Sequence, residues 1–295
     1  MRVAFLGLGA IGTPMARHLA KPPFQLTVWN RTAEKAVAFG HAHGVPVAAT
    51  PAEAARDAQV VITCLPSSRE VEQVMTAADG LLDALAADTV FVDCTSGDPA
   101  TSKRLATVLA ARGVHFLDAP VSGGVVGAES ATLTVMVGGD AATFARVRDL
   151  LDAFGEKLVH CGPVGAGHAL KSVNNALLAV HLWSAAEGLA TLKKAGVDLA
   201  LALDVINASS GRSNASMNLI PQRVLTRAFP RTFRLALLDK DIGIAAQVAR
   251  DTATSAPLLQ LTAELFRTAH TLLGEEADHV EVVKCVERWS ATELS

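Results

Sequence analysis

VAFLGLGAIGTPMARHLA, residues 3–20, joins an apolar run to a helical pattern through glycines spaced G-x-G-x-x-G. The first glycine of such a turn permits a tight bend, the second lets the backbone approach a pyrophosphate, and the third allows close helix–strand packing. N–H groups at the start of the helix then face the phosphates. A merely flexible turn is the alternative, but the strand–turn–helix context favours a dinucleotide site. The residues predicted to form it are Gly7, Leu8, Gly9, Ala10, Ile11 and Gly12.

The end of the second apolar run, VWNRT (28–32), predicts which dinucleotide is preferred. NAD-specific sites place an acidic side chain here to bind the ribose 2′-OH. This chain has Asn30, Arg31 and Thr32 instead, and an arginine can pair with a 2′-phosphate. The alternative is that these residues only cap the next helix. We predict that all three contact the cofactor and that NADP is preferred, with NAD as a less preferred cofactor.

Short β-rich runs alternate with helical patterns through the first half of the chain. Several runs are apolar on both faces, as in strands that helices cover on each side. The alternation predicts a doubly wound, mainly parallel sheet with right-handed crossovers. The predicted strands are 2–7, 25–30, 60–65, 89–95, 115–121, 133–139 and 157–162, and the predicted helices are 10–20, 32–43, 68–78, 98–112 and 141–153.

This alternation stops at a Gly/Pro-rich junction, GPVGAGHA (162–169), after which helical periodicity continues to the end. We therefore predict an N-terminal Rossmann-type domain over residues 1–162 and an all-α domain over residues 163–295.

Composition excludes several classes of protein. Half of the 295 residues are hydrophobic and 19% are charged, which indicates well-filled cores. A net charge of −3 without a dense Lys/Arg run argues against a nucleic-acid partner. No apolar run approaches the roughly 20 residues that span a bilayer, so we expect a soluble protein without a membrane partner. Four scattered cysteines with no metal-ligand spacing predict no metal site and a reducing, cytoplasmic setting.

The stretch DAPVSGG (118–124) ends a predicted strand in a serine and two glycines. Exposed backbone N–H groups beside a hydroxyl form a concave anion site that suits a substrate carboxylate. The residues concerned are Ser122, Gly123 and Gly124. A glycine-rich connection to the next strand explains the same residues equally well.

The segment 165–188 has the pattern of a long apolar helix with polar residues near its start. Lys171 and Asn175 are four residues apart and share one helix face, with Asn174 beside them. The lysine could extend to solvent, but pockets form preferentially at domain junctions such as this one. The uncharged stretch 172–186 predicts burial against other helices, including those of a second subunit.

These motifs together resemble the β-hydroxyacid dehydrogenase family, in order and over the whole chain. They are the glycine-rich helix, DAPVSGG, GAGHALKSVNN (165–175) and the pair Lys240–Asp241. INASSGRS (206–213) is most similar to the 3-hydroxyisobutyrate dehydrogenase branch. The resemblance implies a Rossmann domain joined by a long helix to an all-α domain that dimerises, with some members forming tetramers.

The resemblance also implies a role for each site residue. Lys171 is the expected catalytic acid/base, and Asn175 orients the substrate and the lysine. Ser122, Gly123, Gly124 and Asn174 are expected to bind the small hydroxyacid. The implied cofactor contacts are Leu65, Pro66, Glu70, Ser96 and Lys240. The leading reaction is the NADP-dependent conversion of 3-hydroxyisobutyrate to methylmalonate semialdehyde.

Two departures from the family pattern keep alternatives open. Ser213 and Asn214 stand where mammalian-like members have a Cys–Trp pair, and GDP (97–99) is altered. Semialdehyde, glyoxylate or tartronate semialdehyde reductases use the same machinery and are the nearest alternatives. Imine reductases usually replace the lysine, so Lys171 argues against them. A non-catalytic NADP-binding module is a remoter alternative, because both Lys171 and Asn175 are present.

Overall fold

The computed structural model describes all residues from Met1 to Ser295, which form two units, Met1–Lys171 and Ser172–Ser295. The first unit is built on an eight-stranded sheet. Its strands are β1 (Arg2–Leu6), β2 (Gln25–Trp29), β3 (Val60–Thr63), β4 (Val90–Asp93), β5 (His115–Asp118), β6 (Val121–Ser122), β7 (Leu133–Gly139) and β8 (Gly155–Gly162).

The sheet is doubly wound and mainly parallel, as predicted. The strand order is β2-β1-β3-β4-β5-β7-β6, with β8 paired to β7. Strands β1 to β5 pair in parallel, whereas β7 runs antiparallel to β5 and β6 and parallel to β8. The parallel strands therefore bring the segments after β1, β3 and β4 to one edge, which is where ligands bind in open α/β sheets.

The predicted strand 115–121 is wrong as a single element. The structure divides it into β5 and β6 around Ala119 and Pro120. Proline has no N–H to donate to a sheet ladder, so the chain leaves regular pairing at this point. The bend starts the connection that carries Ser122.

Seven helices cover the sheet of the first unit. They are α1 (Gly12–Leu19), α2 (Ala33–His43), α3 (Pro51–Ala55), α4 (Ser68–Thr76), α5 (Pro99–Ala110), α6 (Gly124–Ser130) and α7 (Ala141–Asp152). The sequence did not predict α3 or α6, because five and seven residues are too few for a helical period to stand out. Apolar clusters fill both faces of the sheet, with Val3 and Phe5 on one and Ala4 and Leu6 on the other.

The second unit contains helices and no strand. The long helix α8 (Ala166–Lys194) begins in the first unit and continues into the second. It is followed by α9 (Leu199–Ala208), a π-helix (Ala215–Val224), α10 (Leu235–Asp251), α11 (Pro257–Leu273), a 3₁₀ turn (His279–Val282) and α12 (Val283–Ser290). The core of this unit includes Trp183 of α8 against Phe266 of α11, with ring centroids 5.8 Å apart. No helix is long and apolar enough to cross a membrane.

The uncharged part of α8 is buried on one side only within this chain. Ala176, Ala179 and Trp183 lie in the core, whereas Leu177 and His181 are exposed. Within one chain, the predicted burial of this helix against other helices therefore holds for one face and leaves a second face open.

Candidate functional site

The glycine-rich turn between β1 and α1 has the geometry that the motif requires. Gly7 has a φ of +107°, and its N–H donates to the carbonyl of Trp29 (3.0 Å). A Cβ atom at Gly12 would lie 2.0 Å from the carbonyl oxygen of Gly7, so only glycine allows this approach. A Cβ at Gly9, by contrast, would meet nothing within 4 Å, and Gly9 is exposed. The turn is closed on its protein side and open on the other, which fits a bound pyrophosphate.

Asn30 ties this turn to the end of β2. Its Oδ1 accepts a hydrogen bond from the N–H of Leu8 (2.9 Å), and its Nδ2 donates to the carbonyl of Thr32 (2.9 Å). The side chains of Arg31 and Thr32 are exposed. Thr32 stands at the N-cap of α2 but makes no capping hydrogen bond through its side chain. Helix capping is therefore a weak explanation for these residues, and both remain available to a ligand.

The segments after β3 and β4 carry the other predicted cofactor residues of this unit. The N–H of Leu65 donates to Oγ1 of Thr95 (3.1 Å), which joins the two segments beside Ser96. Pro66 is exposed, next to Leu65. These segments and the glycine turn follow neighbouring strands, so Leu65, Pro66 and Ser96 lie at the same sheet edge as Gly7.

The carboxylate of Glu70 interacts with residues at the start of its own helix. Its carboxylate accepts a hydrogen bond from Oγ of Ser67 (2.6 Å) and pairs with Arg69 (3.1 Å). Partial burial works against ionisation, but these hydrogen bonds outweigh it and lower the pKa of Glu70. A charged Glu70 thus shapes the start of α4, and its cofactor contact stays a prediction.

The predicted anion site follows β6. Ser122 closes that strand opposite Thr134, and the next two residues have left-handed φ angles, +136° at Gly123 and +65° at Gly124. Both glycines are exposed, and α6 starts at Gly124. The residues therefore lead into a helix, and not directly into the next strand as the simple connection would.

The three polar residues near the start of α8 differ in solvent exposure. Lys171 is half-buried, Asn175 is buried and Asn174 is exposed. Nδ2 of Asn174 donates to Oδ1 of Asn175 (3.2 Å). Because Lys171 and Asn175 are one turn apart, they share a helix face, whereas Asn174 points elsewhere and its predicted substrate contact rests on the resemblance.

Asp241 holds the side chain of Asn175 on this helix face and was not among the predicted site residues. Its Oδ2 accepts a hydrogen bond from Nδ2 of Asn175 (2.6 Å), and its Oδ1 pairs with Nζ of Lys240 (2.9 Å). Asp241 is 2% exposed, so the contacts are made away from bulk water. The Lys240–Asp241 pair was noted in the sequence, but Asp241 and Asn175 are 66 residues apart, so their hydrogen bond could not be predicted.

Asp118 anchors the start of α8 and was also missed as a functional residue. Its two carboxylate oxygens accept hydrogen bonds from the N–H groups of Gly165 (2.7 Å) and His168 (2.9 Å). A Cβ at Gly167 would lie 2.2 Å from the carbonyl of Met136, so the helix packs closely on β7. Asp118 is the first residue of DAPVSGG, which means that this motif supports the helix as well as the glycines.

Burial raises the pKa of all four thiols. The pKa of the Cys64 thiol rises to about 12, and the nearby Asp93 adds to the rise. Burial likewise raises the pKa of Cys94, Cys161 and Cys285. A raised pKa disfavours the thiolate, which is the nucleophilic form.

Comparisons with known proteins agree with this architecture. The family model for the NAD binding domain of 6-phosphogluconate dehydrogenase matches residues 2–162, and the model described as NAD-binding of NADP-dependent 3-hydroxyisobutyrate dehydrogenase matches residues 165–286. The chain is 38% identical over 271 residues to 3-hydroxyisobutyrate dehydrogenase of Pseudomonas aeruginosa, covering 90% of each chain. It is 35% identical over 272 residues to the NAD-dependent L-serine dehydrogenase of the same organism, covering 90% of this chain and 91% of that one.

A solved structure is similar over nearly its whole length. The Mycobacterium tuberculosis 3-hydroxyisobutyrate dehydrogenase with L-serine superposes with a TM-score of 0.89 at 33% identity, covering 97% of this chain and 98% of that one. The fold and the matches define an NAD(P)-dependent oxidoreductase. More specifically, the chain belongs to the β-hydroxyacid dehydrogenase family.

Proposed function

We propose that the protein is an NADP-preferring 3-hydroxyacid dehydrogenase that converts 3-hydroxyisobutyrate to methylmalonate semialdehyde, with Lys171 as acid/base. The observation that carries the proposal is one helix face with Lys171 a turn before Asn175, whose amide is held by buried Asp241. An alcohol proton is too weakly acidic to leave unaided, so its removal needs a positioned base. Lys171 accepts that proton in oxidation and donates it in reduction.

The proposed substrate contacts come from predicted residues of each unit, taken separately. Asn175 is fixed at one end by Asp241, so its amide can orient the substrate hydroxyl and Lys171. Ser122 and the glycine pair Gly123 and Gly124 offer a hydroxyl and exposed backbone to the substrate carboxylate, and Asn174 is a second amide in reach of solvent. Fixing the carboxylate and hydroxyl together converts a bimolecular encounter into a positioned reaction.

The chain's own residues support NADP as the cofactor. When bound, the nicotinamide supplies hydride acceptance and donation. Gly7, Gly9 and Gly12 form the phosphate turn, and Arg31 and Thr32 offer charge and a hydroxyl to the 2′-phosphate. Further contacts are proposed for Leu8, Ala10, Ile11, Asn30, Leu65, Pro66, Glu70, Ser96 and Lys240.

The substrate is the finer part of the proposal, because relatives with this architecture carry different names. One is named for L-serine, and Ser213 and Asn214 depart from the known Cys–Trp pair. Here Ser213 hydrogen-bonds Ser216, and Oδ1 of Asn214 accepts from Asn218 (2.9 Å). Polar side chains in place of the Cys–Trp pair favour a more polar substrate, so a semialdehyde, glyoxylate or tartronate semialdehyde reductase is the second candidate.

One steady-state assay tests substrate and cofactor together. The purified protein is assayed with NADP and with NAD on 3-hydroxyisobutyrate, L-serine, 3-hydroxypropionate, 4-hydroxybutyrate, glycolate and D-glycerate. The proposal expects the highest kcat/KM for 3-hydroxyisobutyrate with NADP. A preference for glycolate or 4-hydroxybutyrate selects the second candidate, and cofactor binding without turnover of any hydroxyacid contradicts both.

We also propose that the protein forms a homodimer or homotetramer through its helical unit and works in the cytoplasm. Leu177 of α8 and Leu258 and Leu261 of α11 are each about half exposed, an apolar surface that a second subunit could cover. All four cysteines are free, which suits a reducing compartment. Light scattering tests the assembly, and a monomer at micromolar concentration contradicts it.

A further inference from the structure

His168 lies in the first turn of α8, three residues before Lys171, and its side chain is fully buried. Its Nδ1 lies 2.7 Å from Oγ of Ser102 on α5. Its Nε2 has no hydrogen-bond partner and lies 4.0 Å from Oδ2 of Asp93 at the end of β4. Buried polar atoms are nearly always paired, so this ring has a role that its packing alone does not explain.

The hydroxyl of Ser102 decides where the ring carries its proton. It donates to the carbonyl of Asp98 (3.1 Å), which can only accept, and lies 2.7 Å from Nδ1 of His168. Because a hydroxyl has one proton, both contacts are satisfied when Nδ1–H of His168 donates to Ser102, which leaves Nε2 of a neutral imidazole unprotonated, facing Asp93. A nucleophilic role for this Ser–His–Asp order is excluded, because Ser102 is only 2% exposed.

Asp93, the charged group nearest to Nε2, is itself held by neighbours. Its Oδ1 accepts hydrogen bonds from Oγ1 of Thr63 (2.8 Å) and the N–H of Thr95 (3.0 Å), and its Oδ2 lies 4.0 Å from Nε2 of His168. Burial raises the pKa of Asp93, and His168 and the two threonines only partly offset that effect.

The imidazole also contacts the segments that carry predicted cofactor residues. A Cβ at Gly97 would lie 2.7 Å from the His168 ring, so the segment after β4 packs directly on it. In the same segment, Thr95 accepts the N–H of Leu65, and the N–H of Asp98 donates to Ser68 (2.7 Å). The ring is therefore placed between the helical turn that leads to Lys171 and the chain around Ser96.

We propose that His168 is a positioning residue, which with Ser102 fixes the first turn of α8, and hence Lys171, against the segment 94–98. Residues three apart on a helix are neighbours, so a shift of this turn moves the lysine directly. The inference rests on the proposed function, because it requires Lys171 to be the acid/base.

Kinetics of substituted enzymes test the positioning role. His168→Ala is expected to lower kcat at least tenfold, with the KM of the hydroxyacid and the cofactor Kd within threefold of wild type. Asp93→Asn is expected to retain kcat within threefold, because its amide keeps the buried site filled and can donate to the unprotonated Nε2. His160→Ala is the control, since His160 is an exposed histidine of the same unit whose ring contacts the carbonyl of Gly139 (2.8 Å).

A spectroscopic measurement completes the experiment without relying on turnover. In protein labelled with ¹⁵N-histidine, His168 is expected to be the Nδ1–H tautomer in wild type and the Nε2–H tautomer, facing Asp93, in Ser102→Ala, which removes the acceptor of the Nδ1 proton. The inference is overturned if the wild-type enzyme is active and His168→Ala keeps its full kcat, or if the tautomer is the same in both proteins. A wild-type enzyme without activity on any hydroxyacid instead contradicts the proposed function.

Discussion

The glycine turn at residues 7–12 and the helical face at residues 171–175 solve different problems in different ways. The turn binds through backbone, and its key residues are those without side chains. A Cβ at Gly12 would collide with the neighbouring carbonyl of Gly7. The helical face presents side chains, and Asn175 there depends on a partner from elsewhere in the chain, Asp241. A site formed by backbone atoms can be recognised from a few consecutive residues, whereas a site formed by side chains combines residues that are far apart in the sequence.

The largest effect that separates the two kinds of site is expected in the glycine turn. Gly12→Ala should weaken cofactor binding by at least 100-fold and lower the free energy of unfolding by about 1–3 kcal/mol, because the added methyl has no space. Gly9→Ala should weaken binding while leaving stability unchanged, since its Cβ meets no protein atom. Cofactor titration and thermal unfolding of both variants measure this. Equal melting temperatures for the two variants would show that the turn is not closed as described.

A smaller effect is expected on the helical face. Asp241→Ala leaves the buried amide of Asn175 without its acceptor, which should reduce kcat about tenfold and stability by about 1–3 kcal/mol. Asp239→Ala, two residues earlier on α10, removes a contact with His270 (2.9 Å) and serves as the matched control. Its stability should fall without a matching loss of kcat. Equal kcat values in the two variants would contradict the role given to Asp241.

The smallest effect concerns cofactor choice. Arg31→Ala should raise the KM for NADP about tenfold and leave the KM for NAD within twofold, because only NADP carries the 2′-phosphate. Lys35→Ala, an exposed cation one turn into α2, is the control and should change neither. An equal change in the KM for NADP and for NAD would contradict a contact between Arg31 and the 2′-phosphate and favour a structural role for Arg31 at the start of α2.

Much of the fold was predictable because its signals are local. The strand–glycine–helix unit, the alternation up to residue 162 and the helical periodicity beyond it each arise within a few residues. The short helices α3 and α6 were not predicted, because five and seven residues carry too little periodicity. The break at Pro120 was not predicted either.

The residues of the candidate site also differ in whether they could be predicted from local sequence. Gly7, Gly9 and Gly12 follow from the physics of a tight turn, and Lys171 with Asn175 from helix spacing and resemblance. The contacts of Asp118, Asp241 and His168 could not be predicted, since each is made across a sequence separation of 47 to 66 residues. Only the folded chain brings these groups together.

The most direct single measurement is the turnover of Lys171→Ala beside Lys194→Ala, an exposed lysine at the other end of the same helix. General acid–base catalysis contributes about 10²–10⁴-fold. Lys171→Ala is therefore expected to lose kcat by that factor on the best hydroxyacid while its cofactor Kd stays unchanged, and Lys194→Ala should match wild type. A Lys171→Ala enzyme that keeps its kcat would contradict the assignment of the acid/base and favour a protein that binds NADP without using this lysine.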